Sequence, residues 1–119
     1  MNFKKLNVWQ KSKDLAIQIY KLTDQGKFAH DFGLRDQMRR AAVSICSNIA
    51  EGDERGTNKE SIRFLYIAKG SLAELLAQME ISVGISYFNQ EQLVPFEKEI
   101  LDIGKMLGAL IKARSNSCS

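Results

Sequence analysis

The stretch TNKESIRFLYIAKGSLAELLAQMEISVGI, residues 57–85, decides the fold class. Within it Leu65, Ala68, Leu72, Leu75 and Met79 recur in alternating three- and four-residue steps, the spacing that keeps side chains on one face of an α-helix. Thr57 and Glu60 open the element with capping-box spacing, so hydroxyl and carboxylate can satisfy amide groups that a first helical turn leaves unbonded. The pattern runs to about Ile85, and Asn89 then stands where a second N-cap belongs. A seam of this length must be covered, so the remaining chain has to supply further helices.

It does so on both sides. Downstream, Leu93, Phe96, Ile100, Ile103, Leu107 and Leu110 keep the same steps, with Pro95 in the first turns, where its missing N–H costs least. Upstream, a helix from about Leu34 to Ala50 places Leu34, Met38, Ala41, Ala42, Ile45 and Ile49 on one face, with Gly52 as its expected stop. The first helix, roughly Leu6 to Thr23, gathers Val8, Leu15, Ile19 and Leu22 in a narrow arc. No strand-like alternation persists anywhere. Four helices with short connections predict an all-α, antiparallel up-down-up-down four-helix bundle. The chain reads as a single domain over residues 1–119 with a short flexible C-terminal tail. The longer connection from Thr23 to Gly33, containing Gly26, Phe28 and Phe32, is expected to pack across the bundle end.

Some apolar residues exceed what one core needs. Phe64, Ile67, Ile81 and Ile85 lie on an arc rotated away from the heptad seam, and Val94 and Leu101 lie beside Gly104 and Gly108 on the last helix. They fill a broad internal core or form a subunit interface, and Phe64, Ile67, Ile81, Ile85 and Leu101 are the interface candidates. Glu74 falls beside Ile67 and Ile81. Buried there it would need a cation, so Arg39 or Arg40 is its expected partner, within a subunit or across subunits.

The chain's 17 Lys and Arg against 14 Asp and Glu give a net charge of +3, but the excess is concentrated. Before Thr23, Lys4, Lys5, Lys11, Lys13 and Lys21 face Asp14 alone. That first helix is either a solvated face or a phosphate-binding surface. Trp9, Lys13, Ala16 and Tyr20 form a stripe that could stack bases, or that packs at a helix or subunit junction beneath the lysine stem. Arg35 and Arg39 sit one turn apart, whereas Arg40 points about 100° away from Arg39. Lys11, Lys13, Arg35 and Arg39 are therefore the candidate nucleic-acid contacts.

Catalytic signatures are missing from the sequence. His30 is the only histidine and has no motif pairing it with Cys46 or a serine. There is no E-x-x-H ligand pair and no G-x-x-x-x-G-K-[ST] loop, which leaves no expected metal, no expected cofactor and no enzymatic activity. Cys46 and Cys118 fit no disulfide framework or zinc spacing, so a reducing cytoplasm is expected. The N-terminal segment develops no apolar signal core, and no stretch approaches the ~20 apolar residues of a membrane span.

Gly33-Leu34, Gln37-Met38-Arg39-Arg40-Ala41-Ala42, Ser44-Ile45, Asn48-Ile49-Ala50-Glu51-Gly52 and Arg55 together resemble a bacterial family. It comprises the four-helix bundle proteins encoded by intervening sequences within 23S ribosomal RNA genes. The likeness continues through Phe64-Leu65, Ile67-Ala68, Gly70-Ser71 and Glu74-Leu75, and Leu6, Val8-Trp9 and Gln10 look like the family's opening. The resemblance implies a homo-oligomer, a pentamer of four-helix subunits, similar to the accessory variability proteins of diversity-generating retroelements. Those relatives have basic surfaces and bind nucleic acid and a reverse transcriptase. The expected function is thus a non-enzymatic oligomeric binding module contacting RNA or DNA, with a protein-interaction scaffold as the alternative.

Overall fold

A computed structural model describes residues 2–116 of the chain. Its helices are α1 (Asn7–Thr23), α2 (Phe32–Glu54), α3 (Asn58–Gly84) and α4 (Gln90–Ser115), with short 3-10 turns at Phe3–Lys5 and Gly26–His30. No strand occurs among the described residues. Each helix packs along its neighbours in sequence and α1 also packs along α4, while the diagonal pairs bring no backbone close together. This is the antiparallel four-helix bundle the periodicity predicts, drawn out to 48 × 22 × 20 Å. Residues 117–119, with Cys118 and the expected flexible tail, lie outside the described residues.

The predicted seams form the core. Leu15, Ile19, Met38, Ile45, Ile49, Leu65, Leu75, Met79, Leu93, Ile103 and Leu107 are fully buried, while Leu22, Leu34, Phe96 and Leu110 pack at its rim. Ala41, Ala42 and Ala68 are buried as well, and their small side chains let α2 and α3 run close together. Hydroxyls inside the bundle are satisfied locally. Ser12 Oγ donates to the Val8 carbonyl at 2.7 Å and Thr23 Oγ1 to that of Ile19 at 2.7 Å, which offsets the cost of burying them.

Local chemistry explains where the helices start and stop, with one correction. Thr57 Oγ1 accepts from the Glu60 amide at 3.2 Å, one half of the expected capping box. Asn89 and Gln92 make both halves at the start of α4. Gly52 is not the end of α2, which continues to Glu54 before the chain turns extended at Arg55. Gly52 is a contact glycine instead. A Cβ added there would lie 3.1 Å from the Ser61 carbonyl oxygen and 3.4 Å from the Leu65 side chain, so its missing side chain sets the closeness of α2 and α3.

The bundle's two ends are closed differently. At one, Phe28 from the long connection is buried and meets Tyr87 and Phe88 edge-on, with centroid distances of 5.3 and 5.7 Å. Phe32 does not join this cluster and is 61% exposed. Asp31 caps α2 by accepting from the Leu34 amide at 3.1 Å, and also accepts from the Tyr87 hydroxyl at 2.8 Å. At the other end Arg114 of α4 donates to Asp53 Oδ1 at 2.9 Å, to the Gly52 carbonyl at 3.3 Å and to Ser61 Oγ, tying three helices together.

Candidate functional site

The aromatic stripe of α1 does not close against its neighbour. Trp9, Ala16, Ile17 and Tyr20 form one wall of an open groove of about 530 Å³, and Val43, Cys46 and Ala50 of α2 form the other. Phe3 closes one end by packing edge-on against Trp9 at 5.0 Å. Lys13 and Lys21 are the charged residues on this lining, which is otherwise almost wholly carbon. Lys13 Nζ stands 5.7 Å from the Trp9 ring centre. Toward the other end the Arg39 guanidinium lies 4.5 Å over the Tyr20 ring and donates to Thr23 Oγ1 at 2.9 Å and to the Tyr20 carbonyl at 3.3 Å. The groove is therefore held open by rigid rings with cations stacked on them, an arrangement that suits apolar or aromatic surface carrying negative charge.

Cys46 contributes no chemistry of its own. Burial pushes its thiol up, and the charge of Lys13 offsets this only in part, so the sulfur stays protonated at neutral pH. His30 is exposed on a 3-10 turn. Among the described residues no three His, Cys, Asp or Glu side chains gather as a metal-ligand set.

The four candidate basic residues do not share one surface. Lys11 turns toward α4, its Nζ 3.9 Å from Glu99 Oε1. Arg35 lies at the bundle end, bonded to Asp36 Oδ1 at 3.2 Å and the Ala29 carbonyl at 3.3 Å, with its guanidinium 4.7 Å from the Phe32 ring centre. Of the four, Lys13 lies in the groove beside Trp9, and Arg39 stands at its other end over Tyr20. The proximity of residues 11 and 13 in sequence is undone by helix geometry, because two steps turn the side chain by about 200°.

The candidate interface residues lie mostly in the open. Ile67, Ile81, Ile85 and Leu101 are exposed, with Ile81 at 55%, and Val94 and Tyr66 are exposed beside them. Phe64 is half-buried, with the Arg55 guanidinium 4.5 Å from its ring centre. The expected buried pairing of Glu74 within the chain is not found. Glu74 is exposed and its carboxylate meets the Gln78 side-chain amide at 3.5 Å, with no arginine in ion-pair range. Arg39 is engaged on the opposite flank of α2, and Arg40 is exposed. The arc carrying Glu74 faces away from the bundle, so no burial penalty arises to demand a partner.

Ile17 and Val43, which line the groove, are absent from the sequence-based candidates. Each is a lone apolar residue outside its helix's core arc, and only their positions on adjacent helices make them one surface. No described helix is long and apolar enough to cross a membrane.

Residues 4–109 match the sequence profile of the family described as 23S rRNA-intervening sequence protein. The chain belongs to this family. It is also similar to a crystal structure from Bacteroides thetaiotaomicron, a protein with unknown function from the S23 ribosomal protein family, with 27% identity and a TM-score of 0.80. The similarity covers 88% of this chain and 98% of that one. No functionally curated protein matches. Family and neighbour thus agree on architecture and bring no catalytic assignment with them.

Proposed function

We propose that this intervening-sequence protein is a non-enzymatic cytoplasmic module that self-associates and, once assembled, binds RNA or DNA through its basic surface. The observation that carries the reading is the pair of unpartnered apolar surfaces, the α1–α2 groove and the outer face of α3, on a bundle whose core is already full. Apolar surface of this kind usually marks an interface. The two faces differ, and contacts between unlike faces build closed rings when the rotation permits, in keeping with the pentamer implied by resemblance to the accessory variability proteins.

Nucleic-acid binding rests on charge. Lys4, Lys5, Lys13 and Lys21 are exposed on or just before α1, and assembly multiplies that weak basic surface so that several copies can hold one strand. No base-reading motif is present, so binding is expected to be electrostatic and sequence-tolerant. The alternative, a scaffold that binds protein alone, is favoured by the carbon-rich lining of the groove.

Light scattering across micromolar concentrations should give an assembly larger than a dimer, and a strict monomer would remove the self-association reading. Binding of single-stranded RNA and DNA over a salt series is the second measurement. Affinity should fall with salt, with a shallower slope when Lys4, Lys5, Lys13 and Lys21 are all replaced by glutamine. Lys13 and Lys21 also line the groove, so the variant's helicity and assembly are measured alongside. An intact assembly that binds neither nucleic acid at low salt would favour the scaffold.

A further inference from the structure

We infer that the groove between α1 and α2 receives the outer face of α3 from a second copy of the chain. The inference rests on the self-association proposed above and names its contact. Three features of the molecule support that occupant.

The first is electrostatic. The charged groups lining the groove are Lys13 and Lys21, and neither has a carboxylate within ion-pair distance among the described residues. Between Ile67 and Ile81, Glu74 lies on the line of the two isoleucines, while Glu80 and Lys69 turn together to one side of it. Glu74 is exposed and has no cationic partner among the described residues. The groove therefore offers unpaired cations and the ridge an unpaired carboxylate.

The second is shape. Ile67 and Ile81 are exposed fourteen residues apart, with Gly70 and Ala77 exposed between them. A ridge of about 21 Å results, apolar at both ends, with Glu74 at its middle and the small Gly70 and Ala77 flanking it. The groove follows α1 from Trp9 to Tyr20, about 17 Å along the axis. The lengths match to within one helical turn.

The third is topology. The backbone of α3 runs along α2 and α4 and not along α1, and its outer face points away from the bundle, so within one chain that face cannot reach the groove. A symmetric pairing of two grooves would set lysines against lysines, and a symmetric pairing of two α3 faces would bring Glu74 toward Glu74, both opposed by like charge. Groove to α3 avoids both conflicts. Every copy then offers its groove to one neighbour and its α3 to another, so the contact propagates until a ring closes.

Two single variants decide the matter, Val43→Glu in the groove wall and Ile81→Glu on α3. Both sites are exposed, at 41% and 55%, so the bundle should tolerate a carboxylate at either. Size is read by analytical ultracentrifugation and helicity by circular dichroism, and a variant that loses helicity is replaced by the glutamine substitution at that site. Each variant alone should lose the assembly and sediment as a monomer. Mixed in equal amounts they should form a one-to-one dimer and nothing larger, because the first keeps an intact α3 and the second an intact groove. If either folded variant alone keeps the full-size assembly, or the mixture stays monomeric, the inference is overturned. A wild-type chain that is itself monomeric sinks the self-association reading and this contact with it. A wild-type assembly that both variants leave untouched sinks the contact alone.

Discussion

The two ends of the bundle are closed by opposite chemistry. One is sealed by rings, where Phe28 packs into Tyr87 and Phe88 and buries itself almost completely. The other is tied by a polar clamp, where Arg114 spans to Asp53, Ser61 and the Gly52 carbonyl. The aromatic end gains its stability from area removed from water and is indifferent to exact angles. The clamp gains less, but its directional bonds fix the register of α4 against α2 and α3. Burial therefore holds the long connection down, while hydrogen bonding specifies how the helices are aligned.

Phe28→Ala should produce the largest loss, about 3 kcal/mol, because removing a buried ring leaves a cavity beneath the Tyr87–Phe88 turn. Chemical denaturation would measure it, and a loss below about 1 kcal/mol would show that the ring end is not a true part of the core. Arg114→Ala should cost about 2 kcal/mol, since it strips partners from Asp53 and the Gly52 carbonyl in a half-buried setting. If its loss exceeded that of Phe28→Ala, the ranking of the two ends would reverse. Gly52→Ala probes the packing beneath the clamp. Its better helix propensity is outweighed by a methyl group driven against the Ser61 backbone, for a net loss of about 1 kcal/mol in the same denaturation experiment.

The smallest effect belongs to the Asp31–Tyr87 bond at the aromatic end. The Leu34 amide, followed by the Tyr87 hydroxyl, holds the Asp31 carboxyl below its ordinary value against a small opposing desolvation. A depressed carboxyl stabilises the fold above its unfolded value, roughly 4, and that contribution disappears as pH falls through the lowered folded value. Tyr87 is raised, first by its hydrogen bond to Asp31, so its contribution is complete below roughly pH 10 and is lost above it. Tyr87→Phe should therefore be slightly less stable than wild type at neutral pH, with the difference vanishing in acid and in strong alkali. A difference in melting temperature that stays constant from pH 2 to pH 8 would exclude this account.

The sides of the bundle are less evenly matched than its ends. The α1–α2 side presents rings with cations stacked upon them, and the α3 side presents isoleucines, small residues and acid. Self-association, nucleic-acid binding and the groove contact all rest on that asymmetry. The binding proposals also compete for Lys13, which lies at the groove and in the basic set. If α3 covers the groove in the assembly, Lys13 is sheltered there and the salt dependence of nucleic-acid binding should fall to lysines outside it, such as Lys4 and Lys5.

By itself the sequence determined the four helices, the main core faces and the caps at Thr57 and Asn89, because these follow from spacing within one segment and from bonds spanning three residues. It also carried the family likeness, written into contiguous motifs of α2 and α3. Tertiary structure alone decided what met across helices. It set Arg114 against Asp53, 61 positions away, made Gly52 a contact rather than a stop, brought Lys11 to Glu99 of α4, and joined Ile17 to Val43 as one groove. The physical reason is that a helix's rotation and register in a bundle come from many weak contacts summed along its length. One residue's shift in that sum exchanges a buried neighbour for an exposed one, and no local pattern records it.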